Sequence, residues 1–187
     1  MDDRNNQTTI IYLIGKPGTG KYTISQELAK LGYIICDNQL ANNPIFTLLN
    51  YDGFTRIPDF AWDAIKKIRD SIFDFITVET DNSYVLTNAL YENEGDHKLY
   101  KQVEQVASKR RSLFVPVKLI ISEEENLKRI TEPSRRMRWK SIDPKYVYAK
   151  EPLLNIKHPH LFELDVSTFS AKEAAVKVLE HATRLQN

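Results

Sequence analysis

The residues with chemistry to offer begin at Gly15-Lys16-Pro17-Gly18-Thr19-Gly20-Lys21-Tyr22-Thr23. Gly15, Gly20 and Lys21 match the spacing G-x-x-x-x-G-K, in which a glycine-rich turn wraps its amide N–H groups around an anion. A helix starting at the lysine adds the partial positive charge of its amino end. The Lys21 ammonium supplies a full charge that can reach the β- and γ-phosphates of a nucleoside triphosphate. The motif requires a strand before it and a helix after it. Thr9-Ile10-Ile11-Tyr12-Leu13-Ile14 is a β-branched apolar run, while Ile24, Leu28 and Leu31 recur at helical spacing and Gly32 stands where that helix would end. Gly15, Pro17, Gly18, Thr19, Gly20, Lys21, Tyr22 and Thr23 are therefore expected to bind nucleotide.

One position departs from the motif. Where a Ser or Thr hydroxyl ligates Mg²⁺, this chain has Tyr22, and Thr23 follows it. In this the stretch resembles the loop of adenylate kinases, Gly-x-Pro-Gly-x-Gly-Lys-Gly-Thr. The resemblance implies that Thr23 helps hold the α-phosphate and that Mg²⁺ is held through phosphates and water, with no direct protein ligand. Thr23 and Asp37 are the protein oxygens expected nearest to it.

Three further stretches carry reactive side chains. Asp37-Asn38 lies at the tip of the apolar run that follows the loop helix. A carboxylate there can orient and deprotonate a substrate hydroxyl, or hold a water of the Mg²⁺ shell. The plainer reading is that Asp37 only caps a turn. Thr87-Asn88 ends another run and brings no carboxylate, although Asn88 and Asn38 can both touch substrate. Arg135-Arg136-Met137-Arg138 reads as a mobile lid whose arginines neutralise charge in a phosphoryl-transfer transition state. Its alternative is a solvated cationic loop. Arg129, on the preceding helix, is a weaker nucleotide-binding candidate. Lys109-Arg110-Arg111 ends a helix, where cations suit the dipole, and reads as structural. His97, His158, His160 and His181 show no metal-ligand spacing.

These residues must be positioned by an alternation of strands and helices. Tyr33-Ile34-Ile35-Cys36 and Tyr84-Val85-Leu86 read as short buried strands, and the apolar run 113–121 as a strand covered on both faces. The run 161–166 is the last strand. Between them, Asn43-Pro44 signals the start of a short helix that Gly53 closes, and Pro58-Asp59 opens a long one with Ala61, Ile65, Ile68, Ile72 and Ile76 on one face. Asp96 is the expected cap of the next helix. Ser122-x-x-Glu125 and Ser170-x-x-Glu173 are capping boxes for two more, and Pro133 breaks the first of these. Five strands alternating with helices predict a three-layer α/β fold around a doubly wound, five-stranded parallel sheet, with ligands at the carboxyl ends of the strands. At 187 residues the chain suits one domain, with a substrate-binding helical region at about 38–80 and a lid at about 131–145.

Composition narrows the setting. Lys and Arg number 26 against 25 Asp and Glu, a balance that argues neither for nor against a polyanionic partner, and no nucleic acid is expected. The single cysteine, Cys36, allows no internal disulfide, the start of the chain is polar, and no stretch approaches a membrane span. A soluble cytoplasmic protein without membrane contact, monomeric or homodimeric, is the expectation.

Taken together, the chain resembles the small phosphate-loop kinases, closest in style to shikimate and gluconate kinases and related bacterial kinase-like ATPases. The phosphate loop, Asp37 after the second strand, the arginine-rich stretch and the ending Phe162-Glu163-Leu164-Asp165-Val166-Ser167-Thr168 carry the resemblance. Ala89-Leu90 is faintly similar to a pair in gluconate kinases, whereas only Gly95 follows that strand where shikimate kinases have a glycine-rich substrate loop. The resemblance implies ATP and Mg²⁺ as cofactors and phosphoryl transfer to a hydroxyl of a small polar molecule. It makes Lys21, Asp37, Arg135 and Arg136 catalytic, adds Arg129, Arg138, Ser167 and Thr168 to the nucleotide site, and gives Asp37, Asn38, Arg56 and Asn88 to the acceptor. The acceptor is expected between the helices 44–50 and 60–77, with Phe46, Phe54, Arg56 and Trp62 as lining residues. Two rival readings remain: a nucleoside or nucleotide kinase, and a nucleotide-binding regulator with little turnover.

Overall fold

The computed structural model describes residues 7–186, apart from the side chains of Arg136 and Arg138. The polar stretch 1–6 and those two lid side chains lie outside the described residues.

The sheet is built around β1 (Thr9–Ile14), every residue of which is buried. β3 (Tyr84–Asn88) and β4 (Leu113–Ile120) pair with it in parallel, β2 (Ile34–Asp37) lies outside β3, and β5 (Phe162–Asp165) lies outside β4, giving the order β2-β3-β1-β4-β5. Alternate residues of β1 feed two cores, as the period of a strand requires. Ile11 and Leu13 pack with α1 (Lys21–Ala29) and α7 (Ala171–Gln186) on one face. Ile10, Tyr12 and Ile14 pack on the other with α3 (Asp59–Val78) and α4 (Glu94–Arg110). The three-layer doubly wound sheet is present as the strand–helix alternation requires. Its register sets Ile14 beside Asn88 and Asp37 beside Thr87, so three strands end at one level.

Three helix boundaries differ from the sequence-based expectation. α2 runs Gln39–Leu48 with Pro44 inside it, rather than starting at Asn43-Pro44. Its first turn is held from upstream, because the Asp37 carboxylate accepts from the Gln39 N–H at 3.0 Å and the Asn38 carbonyl accepts from the Asn42 N–H at 3.2 Å. Burial of Ala41, Asn42 and Phe46 then outweighs the one backbone bond that proline removes. Asn50, in the left-handed region at φ 48°, closes this helix in place of Gly53, with the Tyr51 N–H bonded to the Phe46 carbonyl. At α4 the cap is Asn93, whose side chain accepts from the Asp96 N–H, while the Asp96 carboxylate accepts from the Tyr91 N–H at 2.7 Å.

α5 (Glu123–Ile130) starts at the Ser122 box, and Pro133–Arg138 forms a 3-10 turn that leads to α6 (Lys145–Tyr148). Arg110 is structural: its buried guanidinium donates to the carbonyls of Ile76 and Asn82, tying α4 to the end of α3 and the turn before β3.

Candidate active site

The loop between β1 and α1 takes its shape from glycine. Gly18 sits at φ 93° and Gly20, the cap residue of α1, at φ 85°. At Gly18 a Cβ would also stand 2.7 Å from Asn126 Oδ1, so neither backbone nor neighbour admits a side chain. Lys21 turns its Nζ back into the loop and donates to the carbonyls of Gly15 at 2.6 Å and Lys16 at 2.9 Å. Burial, with Lys140 and Arg135 nearby, lowers its pKa to about 7, and Asp37 acts in the opposite direction. An ammonium so penalised gains from the arrival of an anion. The Thr23 hydroxyl donates to the Gly20 carbonyl at 2.8 Å, and the fully buried Thr19 hydroxyl donates to the Lys16 carbonyl at 3.0 Å. Lys16 donates to the carbonyls of Val147 and Ala149, so the loop grips the end of α6.

At the strand ends, Asp37 is buried and does two things. One carboxylate oxygen caps α2 through Gln39, while the other lies 3.7 Å from Lys140 Nζ. Beside it runs a chain of fixed polar groups. The fully buried Tyr12 hydroxyl donates to Asn88 Oδ1 at 2.9 Å, and Asn88 Nδ2 donates to Asn38 Oδ1 at 2.9 Å. Burial pushes the Tyr12 phenol well above its ordinary pKa, so it stays a donor, and this orients both amides.

The arginine-rich stretch folds over this floor. Arg135 donates twice to the Ser141 carbonyl, at 3.1 and 2.8 Å, closing the stretch on itself, and burial lowers its pKa. Trp139 adopts φ 53°, a conformation that bulky residues avoid, and its ring packs on the cluster of Ala41, Phe46 and Ile65. Lys140 then reaches across to Asp37, its Nζ 4.5 Å from the centre of the Tyr22 ring. Tyr22, at the position where a metal-binding hydroxyl is usual, offers its ring to the Lys140 ammonium.

The half-open cleft between these elements has a volume of about 570 Å³. Pro17, Gly18, Gly20, Lys21, Tyr22 and Thr23 line it from the loop, Asp37, Asn38 and Asn88 from the strand ends, and Arg135 from the lid. Gly15 and Thr19 shape the loop without lining the cleft. Arg129 stands beside the loop, its Nη1 3.6 Å from where a Gly20 Cβ would be, but it is held by Glu125 and the Val166 carbonyl and does not line the cleft. Ser167 is engaged with Asp165 and the Ser122 N–H, and Thr168 is exposed; neither lines the cleft. Arg56 is not brought in. It is exposed, pairs with Asp59 at 3.3 Å and lines a separate shallow hollow, because the turn at Asp52 carries it and Phe54 outward. Arg136 and Arg138 lie outside the described side chains. Phe46 and Trp62 line the cleft.

The structure adds Lys140, Trp139, Asn42, Tyr91 and Lys16. Lys140 belongs to the basic cluster and Trp139 is the one aromatic in a stretch without core pattern, which were the available signals. Nothing in the local sequence marks the other three. Among the described residues no group of three or more His, Cys, Asp or Glu can hold a metal, and no helix is long and apolar enough to cross a membrane.

No family model matches the chain, and no curated protein matches its sequence. Solved structures do match along nearly the whole length. A gluconokinase from Sinorhizobium meliloti 1021 is 13% identical, with TM-score 0.56 over 96% of this chain and 93% of its own. A shikimate kinase from Acinetobacter baumannii in complex with shikimate is 15% identical, with TM-score 0.53 over 95% and 94%. The APS kinase of Mycobacterium tuberculosis is 16% identical, with TM-score 0.55 over 95% and 98%. At such identities the likeness is one of fold, and the fold is that of the small phosphate-loop kinases.

Proposed function

We propose that this chain, which has the fold of small phosphate-loop kinases, is an ATP-dependent phosphotransferase acting on a hydroxyl of a small molecule. The observation that carries the reading is that the glycine loop with Lys21 opens into the same cleft as the buried Asp37.

In this reading the loop amides and Lys21 hold the β- and γ-phosphates, and the Thr23 hydroxyl lies by the α-phosphate. Arg129, beside Gly20, and the loop of Ser167 and Thr168 border the nucleoside end. The acceptor hydroxyl gives its hydrogen bond, and then its proton, to the Asp37 carboxylate oxygen that faces Lys140. A bond forms from the acceptor oxygen to the γ-phosphorus as the bond from that phosphorus to the bridging oxygen breaks, and ADP leaves. Asn38 and Asn88 orient the acceptor, while Arg135, Arg136 and Arg138 neutralise the transferring group. Such catalysis is mostly positioning and electrostatics.

The oxygens present suit Mg²⁺ retained by phosphates and water: Thr23 offers a hydroxyl and Asp37 one carboxylate, and the end of β3 adds none. Bound there, Mg²⁺ would neutralise the β,γ-phosphate oxygens.

The test is ADP release with ATP, Mg²⁺ and panels of sugars, hydroxy acids and nucleosides. At least one acceptor should raise ADP formation well above the acceptor-free rate, and Lys21→Ala should abolish it. If no acceptor does so and calorimetry finds no ATP binding at millimolar concentration, the reading fails.

A further inference from the structure

The two ends of the cleft differ in chemistry. The described cations that line it stand at the loop end: Lys21 inside the loop, Arg135 on the Ser141 carbonyl, and Lys140 between Asp37 and Tyr22. The opposite wall, made by α2 and the start of α3, is aromatic. The Phe46 ring centre lies 4.8 Å from that of Tyr51 and 6.0 Å from that of Trp62, and Trp139 of the lid closes against the same cluster. Trp62 remains 45% exposed, an apolar face left open towards the cleft it lines.

Uncharged polar groups reach this wall, and the protein leaves them unsatisfied. Asn42 is only 4% exposed, and its Oδ1 is sealed from solvent without a hydrogen-bond partner. Gln39 and Tyr91 line the same cleft, and Gln39 Oε1 and the Tyr91 hydroxyl are likewise buried and unpartnered. A buried polar group left so costs about 1–3 kcal/mol. All three belong to residues that line one cleft, where a ligand that turns these side chains towards itself completes them.

We propose, resting on the phosphotransferase reading, that the acceptor is an uncharged nucleoside. Its flat ring lies on the aromatic wall of Phe46, Trp62 and Trp139, its N–H and O–H donors satisfy Asn42 and Gln39, and its sugar hydroxyl meets Asp37. A hydroxy acid or a nucleoside monophosphate would carry an anion to a wall that, among the described side chains, which exclude Arg136 and Arg138, has no cation of its own, and an unpaired buried charge is strongly disfavoured. Arg69 on α3 is the other cation to weigh for such an anion. Its Nε is buried without a partner, but it lies close to Tyr12, outside the cleft lining.

The chain has two tryptophans, Trp62 and Trp139, and both line the cleft, so intrinsic fluorescence reports acceptor binding separately from turnover. The protein, saturated with a non-hydrolysable ATP analogue, is titrated with adenosine, guanosine, cytidine, uridine and thymidine, then with their monophosphates, gluconate, shikimate and glucose. At least one nucleoside should change the emission with half-saturation below about 1 mM, at least tenfold tighter than every other class, and the same nucleoside should stimulate ADP formation. Trp62→Ala and Asn42→Leu should each raise its KM about tenfold or more, with kcat within about threefold, while Arg69→Met leaves that KM within about threefold. The proposal is overturned if no nucleoside responds, if an acid, monophosphate or glucose responds more strongly, or if Arg69→Met rather than Trp62→Ala raises the KM. A nucleoside that binds in this way without ADP formation supports the nucleoside site on the aromatic wall but overturns its role as acceptor and the phosphotransferase reading with it. ADP formation with a hydroxy acid alone does the reverse.

Discussion

The loop end of the cleft and its aromatic wall solve recognition by opposite means. At the loop, backbone does the work. Gly18 and Gly20 adopt conformations that side chains resist, the first amides of α1 stand free of side-chain caps, and one lysine carries the charge. At the wall, side chains from α2, α3, the segment after β3 and the lid supply aromatic faces and unsatisfied amides. An anionic phosphate chain needs a preformed cage of N–H groups and tolerates little variation. A wall of side chains can be rebuilt without disturbing the backbone, so specificity can be adjusted there while the loop stays as it is.

The contrast can be broken most severely at the loop. Lys21→Ala should lower kcat/KM for ATP by at least about 10³-fold, with calorimetry showing the loss in nucleotide affinity. Next in size, Asp37→Asn should lower kcat by about 10²–10³-fold with ATP affinity within about threefold, because the proposed role of the carboxylate is on the acceptor rather than the nucleotide. A comparable loss of ATP affinity in both variants would erase the division between the two ends. Gly18→Ala should cost about 1–3 kcal/mol in denaturant unfolding and weaken ATP binding, since it combines the left-handed backbone with the clash against Asn126.

The smallest effect is a linkage to pH. Lys21 titrates at about 7 in the folded protein and near its ordinary value when unfolded. Between those values the unfolded chain binds the extra proton, so the group's penalty on folding is fully felt below about pH 7 and fades as pH rises towards 10.5. Phosphates bound at the loop would restore the ammonium. ATP binding at pH 8.5 should then take up about one proton, measured by calorimetry in buffers of different ionisation enthalpy, and the affinity should fall as pH rises above 7. Binding without proton uptake would show that Lys21 is already charged in the free protein.

The two regions also differ in how far the chain announces them. The loop is legible because strand, glycines, lysine and helix are consecutive, and each glycine answers a local geometric demand. The Ser122 and Ser170 boxes and the apolar face from Ala61 to Ile76 are visible for the same reason. α2 was misplaced because Asn43-Pro44 is a valid local start signal that an upstream carboxylate and three buried residues override. Arg56 looked suited to the acceptor by its place beside Phe54, yet the Asp52 turn aims it at solvent. Tyr22 looked like a defect in the motif. With Lys140 across the cleft it becomes a contact surface for the lid, and that pairing spans more than a hundred positions of chain.

Local order along the chain was therefore enough to define the phosphate loop, the alternation of strands and helices, and the end of the sheet where a ligand would sit. Those features depend on neighbours a few residues apart, through backbone freedom and hydrophobic period. The packing of Tyr51 and Trp139 onto Phe46, the unsatisfied Asn42 and Tyr91, and the placement of Lys140 against Asp37 came only with the folded molecule. Each depends on which distant surfaces are buried together, and burial is a property of the packed chain rather than of any stretch of it.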